Sequence, residues 1–257
     1  MSLTLQFVRI ADTSGASAQA ASLLDLAARL TPDERARMAR LLREDDRARF
    51  VTVRSALREA LGRELGVPPG SVALETDAHG RPRLAGGGRL DFNVSHAGRW
   101  GLLAYARDMQ VGVDIERLDA VADPGPLWDV CLHAAEKDAL VRLAAPSAGR
   151  NTGIPPLSPL SPLFHRLWCL KEAAFKALGT GLQDGLTLLR LDVAAISRVA
   201  VDPGTDFDAT RPPTVPSSAI AWQADDAGLA RALQGLELRL LPAPPGYGAA
   251  LAWLPRG

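Results

Sequence analysis

The stretch VGVDIERLD, residues 111–119, constrains the fold more than any other. Val111, Val113 and Ile115 alternate with Gly112, Asp114 and Glu116, the period-two pattern of a strand with one apolar face. The other face carries two carboxylates, separated along the strand by roughly 6–7 Å. Placing two like charges so close is tolerable where water screens them. It is useful where a cation sits between them. Either way the apolar stripe needs a layer packed behind it, so the segment belongs to a sheet with a covered face.

Other elements surround it in turn. LTLQFVRI near the start alternates as a strand. In TPDERARMARLLRED, Thr31 stands as an N-cap, Pro32 suits the first helical position and Glu34 completes a capping box. ARFVTVRSALREALGRELG reads as another helix, stopped by Gly66. After VPPG come SVALET, RPRL, LDFNVSH, GLLAYA and VGVDIE, short strands between turn signals, with HAGR closing a hairpin. PLWDVCLHAAEKDALVRLAA reads as one helix. Residues 145–162, with their repeated Pro and Ser, read as an exposed loop insertion. FHRLWCLKEAAFKALGTG is the clearest helix of the second half, ended by Gly179 and Gly181. LTLLRLDV, AIAWQA, LELRLL and GAALAWL follow as strands, interrupted by the loop DPGTDFDATRPPTVPSS. Each half combines helices with an antiparallel sheet, an α+β arrangement.

Composition narrows the function classes. The 29 Lys and Arg balance 29 Asp and Glu, so no general field for nucleic acid exists. The 2 cysteines, Cys131 and Cys169, lie far apart and lack partners at zinc spacing, which argues against a disulfide framework or a zinc site. The first residues, MSLTLQFVRIADTSG, lack a basic region followed by an apolar core, and no uncharged apolar run reaches membrane-spanning length. A cytoplasmic chain with no membrane partner is expected.

On LWCLKEAAFKAL, Leu167, Leu170, Ala174, Ala177 and Leu178 make an apolar arc that Phe175 and Trp168 extend. Glu172 and Lys176 sit beside its edge at helical i,i+4 spacing. As a merely exposed pair they would contribute only about 0.3–0.5 kcal/mol. Lys171 falls inside the arc: either its stem is buried with the amine reaching out, or it meets an acid. If this helix meets the strand at 111–119, Glu172 joins Asp114 and Glu116 in the oxygen set that Mg²⁺ takes, with room left for phosphate oxygens. Spacing alone does not bring them together. Upstream, Ser95 and His96 arrive where a strand turns. His96 keeps the parity of Phe92 and Val94, either as a satisfied core histidine or as a phosphate contact. Arg81, between Gly80 and Pro82, is either part of an ordinary hairpin turn or a guanidinium held for phosphate. The arginines between Arg35 and Arg58 read mostly as a solvated face balanced by acids, a minority lining an anion site.

GRP, FNVSHAGRWGLLAYA, VGVDIE and WCLKEAAFKALGTGL occur in that order, and the ordered set resembles the Sfp-type 4′-phosphopantetheinyl transferases over most of the chain. The resemblance implies a fold, an activity and a set of site residues. The implied fold is a pseudo-dimer of two similar α+β halves, each an antiparallel sheet packed with helices. Here residues 1–110 would hold the arginine-rich helices and the GRP and NVSH motifs, and residues 111–257 the GVDIE and WCLKEAAFK motifs. Coenzyme A would lie between the halves. Enzymes of this kind move the 4′-phosphopantetheine arm of coenzyme A onto a serine of an apo acyl or peptidyl carrier protein and release adenosine 3′,5′-bisphosphate. The carriers serve fatty acid, polyketide, nonribosomal peptide or lysine-related synthesis. The implied metal is Mg²⁺, or Mn²⁺ in its place, with Asp114, Glu116 and Glu172 as its ligands. Glu172, Asp114 and Lys176 are the implied catalytic group, Glu172 also taking the serine proton. Arg37, Arg49, Arg81, Ser95, His96 and Lys176 are the implied coenzyme A contacts. At the adenosine end the match is looser, with Glu34 where the type member has a lysine, and the insertion has no family counterpart. An internal pseudo-dimer implies a monomer. Two rivals remain: another Mg²⁺-dependent phosphotransferase using the same acids, and a non-catalytic carrier-binding module in which the acids are solvated.

Overall fold

Alternation builds the first sheet. Strand β1 (Leu3–Arg9) buries Leu5 and Phe7 at every second position. It pairs antiparallel with β5 (Trp100–Arg107), which pairs in turn with β4 (Leu90–Ala97). The turn between β4 and β5 passes through Gly98 at φ 49°, a conformation that suits glycine. Between β1 and β4 the chain forms helices α1 (Ala18–Ala27), α2 (Pro32–Ala39) and α3 (Glu44–Leu65), then a hairpin of β2 (Leu74–Thr76) and β3 (Pro82–Leu84). The capping box forms as expected: Thr31 accepts from the Glu34 N–H, and the Glu34 carboxylate accepts from the Thr31 N–H. Helix α3 ends at Gly66 in the left-handed region, φ 68°. It packs Leu57 and Leu61 into one cluster with Phe92 and Leu103. The computed structural model describes residues 2–10, 18–78, 80–118, 125–144, 161–179, 185–199 and 207–256.

The second sheet repeats the first in its order. It opens with β6 (Met109–Arg117), which pairs with the last strand, β10 (Tyr247–Pro255); β10 pairs with the strand before it, β9 (Glu237–Leu241). The order β6-β10-β9 thus matches β1-β5-β4: first strand beside last, last beside penultimate. Helix α6 (Ser161–Leu178) covers β6 and β10 and buries Leu167, Leu170, Ala174 and Ala177 with Ala250 and Ala252. The stripe of Val111, Val113 and Ile115 faces the other way, clustered with Leu5, Phe7, Leu102 and Ala104 of the first sheet. That is the layer the alternation demands. The class is α+β with antiparallel sheets, as expected.

Two local expectations change. The helix read over 126–145 is two, α4 (Gly125–Cys131) and α5 (Ala134–Ala144). His133 interrupts it. Its N–H donates to Glu136 Oε2 at 2.8 Å and its Nδ1 accepts from the Ala135 N–H at 3.0 Å, so α5 starts on a cap of its own. LTLLRLDV is not one strand. It forms a 3₁₀ turn at Leu186–Leu188, the short strand β7 (Leu189–Leu191) and then helix α7 (Val193–Arg198). Asp192 starts that helix by accepting from the Ala195 N–H at 2.9 Å. Strand β7 pairs with β8 (Trp222–Ala224), and α8 (Ala227–Ala232), capped by Asp226, comes next. Helices α1, α7 and α8 go beyond the expected elements. Gly179 ends α6 at φ 74°; Gly181 and residues 145–160 of the expected insertion lie outside the described residues. No helix among the described residues is long and apolar enough to cross a membrane. Cys131 and Cys169 are buried free thiols.

Candidate active site

The two sheets meet along β4 and β6 without sharing a backbone ladder. The free edge of β6 is met instead by side chains alternating along β4. The Val111 N–H donates to Asp91 Oδ2 at 2.8 Å, the Val113 N–H to Asn93 Oδ1 at 2.9 Å, and the Ile115 N–H to Ser95 Oγ at 3.4 Å. Buried backbone donors need partners, and this row supplies them. It also fixes the register, because a slip of one residue would offer Phe92 and Val94 to the same donors. Asp91 and Asn93 escaped the sequence reading. The polar alternation of LDFNVSH was the available signal.

Gly112 sets the depth of α6. A Cβ there would stand 2.0 Å from the Ala173 carbonyl oxygen and 2.4 Å from the Ala177 nitrogen. Glycine alone lets the helix lie so close to the strand. The approach brings Lys176 onto Asp114. Lys176 Nζ donates to Asp114 Oδ1 at 2.6 Å and to Ser95 Oγ at 3.3 Å, and Ser95 Oγ donates to Asp114 Oδ1 at 2.8 Å. Glu172 Oε2 lies 3.9 Å from the same ammonium. Asp114 is 1% exposed, and its Oδ2 is buried with no hydrogen-bond partner. Such an oxygen has lost water without a strong hydrogen bond in return; the buried Cys169 thiol, kept protonated by burial and the Asp114 charge, is at most a weak donor beside it.

The charges agree with that strain. Burial, and then the neighbouring Asp114 charge, push the Glu116 carboxyl up to about 7. Burial pushes Glu172 up to about 7 as well; Lys176 opposes the rise and Asp114 adds to it. Burial works against the Lys176 charge, but Asp114 outweighs it and holds the ammonium pKa above its ordinary value. One lysine therefore faces three acids. Among the described residues, no group of three or more His, Cys, Asp or Glu side chains is gathered for a metal ion. Lys176 occupies Asp114 Oδ1 instead. The donor set nonetheless fits a hard divalent cation in its chemistry: oxygens only, one of them buried and unpartnered, and two carboxyls whose charged forms are disfavoured.

His96 succeeds Ser95 at the end of β4. Desolvation, followed by the charges of Arg49 and Lys176, lowers its pKa. Arg49 of α3 therefore faces this end of the site, with its Nη1 held by Asp46 Oδ1 at 2.7 Å. Arg37 lies apart. It stacks on Phe50 at 5.5 Å, with Arg54 at 5.8 Å from the same ring. These residues line an open cleft of about 560 Å³ that Arg40, Thr76 and Pro82 also line. Glu34 borders it too, but it is engaged: Arg58 Nε donates to its Oε2 at 2.6 Å, and Arg54 Nε lies 3.6 Å from its Oε1. Arg81 points into the seam between the sheets, where its Nη2 meets Asp91 and the Phe92 and Val111 carbonyls. Lys171 meets an acid, Glu136, at 2.6 Å inside the core.

Known families match both parts of the chain. Residues 110–222 match the family model of the 4′-phosphopantetheinyl transferase superfamily, and residues 17–108 match that of 4′-phosphopantetheinyl transferase, N-terminal. The chain is 35% identical over 164 residues to 4′-phosphopantetheinyl transferase HetI of Nostoc sp., a match covering 62% of this chain and 64% of that protein. It is 29% identical over 191 residues to a phosphopantetheinyl transferase of Thraustochytrium sp., covering 72% of this chain and 64% of the relative. It is 28% identical over 176 residues to the L-aminoadipate-semialdehyde dehydrogenase-phosphopantetheinyl transferase of Xenopus laevis, covering 65% and 55%. Each match spans less than two thirds of the relative's own length.

Proposed function

This chain belongs to the 4′-phosphopantetheinyl transferase superfamily, and on that premise we propose that it transfers the 4′-phosphopantetheine arm of coenzyme A to a serine of an apo acyl or peptidyl carrier protein, releasing adenosine 3′,5′-bisphosphate. The observation that carries the reading is Asp114, buried, with one oxygen held by Lys176 and Ser95 and the other unpartnered. Elements from both sheets converge on it. β4 brings Ser95 and His96, β6 brings Asp114 and Glu116, and α6 brings Glu172 and Lys176.

Asp114, Glu116 and Glu172 would hold Mg²⁺, or Mn²⁺ in its place. When bound, the ion supplies charge neutralisation at phosphate oxygens. The rest falls to the chain itself. Lys176, kept charged by Asp114, opposes the negative charge that builds on the phosphoryl oxygens. Ser95 and His96 orient the phosphates. Arg49, beside His96, and Arg37, in the arginine-lined cleft, serve the adenosine end. Glu172, one turn before Lys176 on α6 and beside Asp114, stands where it can take the proton of the carrier serine. The serine oxygen then bonds to the β-phosphorus, and the bond to adenosine 3′,5′-bisphosphate breaks.

Halves at 1–110 and 111–257 belong to this reading, supported by the repeated strand order. A monomer suffices, because one chain supplies every group. The enzyme is read as cytoplasmic, acting on coenzyme A and protein, in keeping with a net charge of zero. The test is incubation with coenzyme A, Mg²⁺ and a panel of apo carriers. The expected result is a gain of the phosphopantetheine mass on a carrier together with released adenosine 3′,5′-bisphosphate. Turnover of coenzyme A with no mass gain would favour another phosphotransferase. No heat on titration with coenzyme A and Mg²⁺ would favour a binding module.

A further inference from the structure

Arg81 offers the strongest unassigned geometry. Gly80 turns the chain at φ 81° just before it. The Arg81 N–H donates to Asp77 Oδ1 at 2.9 Å, and the Asp77 N–H donates to the Arg81 carbonyl at 2.9 Å, so its backbone is tied from both sides. The guanidinium enters the seam and is 16% exposed. Nη2 reaches Asp91 Oδ2 at 3.1 Å, Asp91 Oδ1 at 3.3 Å, the Phe92 carbonyl at 3.0 Å and the Val111 carbonyl at 3.2 Å. Nη1 donates to the Lys176 carbonyl. That carbonyl lies in the last turn of α6, where the helix cannot satisfy its own acceptors. Gly179, the next turn of chain, passes so close that a Cβ there would lie 3.2 Å from Nη1.

One planar fork thus joins four elements: the β2–β3 hairpin, β4, β6 and the end of α6. Its terminal nitrogens face protein oxygens, not an open cleft. We propose that Arg81 is a positioning residue, not a phosphate contact. It holds the last turn of α6 against β6 through the Lys176 carbonyl, and so fixes where the Lys176 ammonium and, one turn earlier, the Glu172 carboxyl stand. This role rests on the transferase reading of the site, so its test includes a measurement on the protein alone.

The variants are Arg81→Met, Arg81→Lys and the milder Asp91→Asn. Thermal unfolding checks that each is folded; should Arg81→Met not fold, the other two carry the test. Hydrogen exchange over residues 109–117 and 173–179 should quicken in the Arg81 variants while exchange in β1 is unchanged. Coenzyme A affinity, measured by calorimetry without carrier, should stay near that of the parent. The transfer rate at saturating coenzyme A should fall by roughly 10–100-fold, as expected when reacting groups are misplaced by an ångström. Lysine should not rescue it, since a single ammonium cannot reproduce the fork. Unchanged exchange in Arg81→Met or Arg81→Lys overturns the proposal. So does coenzyme A binding that weakens by about tenfold or more in Arg81→Met and returns in Arg81→Lys, the behaviour of a phosphate contact. If the parent transfers nothing, the transferase reading fails, and exchange still decides whether Arg81 fixes the end of α6.

Discussion

Helix α6 carries two lysines, Lys171 and Lys176, and each meets a buried carboxylate at the same 2.6 Å. Their surroundings differ. Lys171 Nζ also donates to the Cys131 carbonyl at 2.9 Å and the Leu186 carbonyl at 2.8 Å, so all its donors are used. Glu136 accepts in addition from the His133 and Leu191 N–H groups, both at 2.8 Å. The two side chains are 1% and 0% exposed. Lys176 is 26% exposed, and its partner Asp114 keeps an unpartnered oxygen beside two carboxyls with raised pKa. A buried ion pair with every bond closed holds elements together. One left open at a cleft is available to a ligand.

The largest effect should come from the open pair's neighbour. Glu172→Gln should lower transfer by about 10²–10⁴-fold, the usual contribution of a general base. Its thermal midpoint should hold or rise, because a carboxyl that burial disfavours is gone. A variant that labels a carrier at the parental rate would break the contrast. At the closed pair, Lys171→Met should cost about 3–5 kcal/mol in denaturant titration, since Glu136 would be buried unpaired. Adding Glu136→Leu should return part of that loss; a stable single variant would show that the pair holds nothing together. Gly112→Ala should cost about 1–3 kcal/mol through overpacking. It should also reduce transfer more than stability, since the added methyl pushes α6 away from Asp114.

The last expected effect is on pH dependence. In the metal-free folded protein Glu116 and Glu172 hold their protons up to about 7, against 4.5 ordinarily. The folded state therefore binds more protons than the unfolded one across that window, and stability falls as pH rises through it. The charged groups facing these two are Asp114 and Lys176. The Glu116→Gln, Glu172→Gln double variant should lose this part of the fall in thermal midpoint. An identical pH profile for parent and double variant would remove the electrostatic side of the contrast.

Much of this was legible in the chain. The alternation at 111–116 gave both the buried stripe and the acidic face, and i,i+4 spacing paired Glu172 with Lys176. Thr31, Glu34 and Gly66 marked helix ends because caps are local chemistry. What escaped is non-local. Nothing near Arg81 says that its partners are Asp91 and the carbonyls of residues 92, 111 and 176. Nothing near Glu34 announces Arg58. Arg37 and Arg49 lie on successive helices, α2 and α3, and one stacks on Phe50 in the cleft while the other faces His96. The break at His133 was missed because its cap competes with a helical pattern that continues through it.

A backbone ladder reads the same whatever residues form it. The row Asp91, Asn93 and Ser95 does not, because each contact with β6 is written in a particular side chain. A β4 segment borrowed from a distant relative would therefore mate with this β6 only if it carried hydrogen-bond acceptors at the same alternate positions, and a chimaera lacking them would come apart there first.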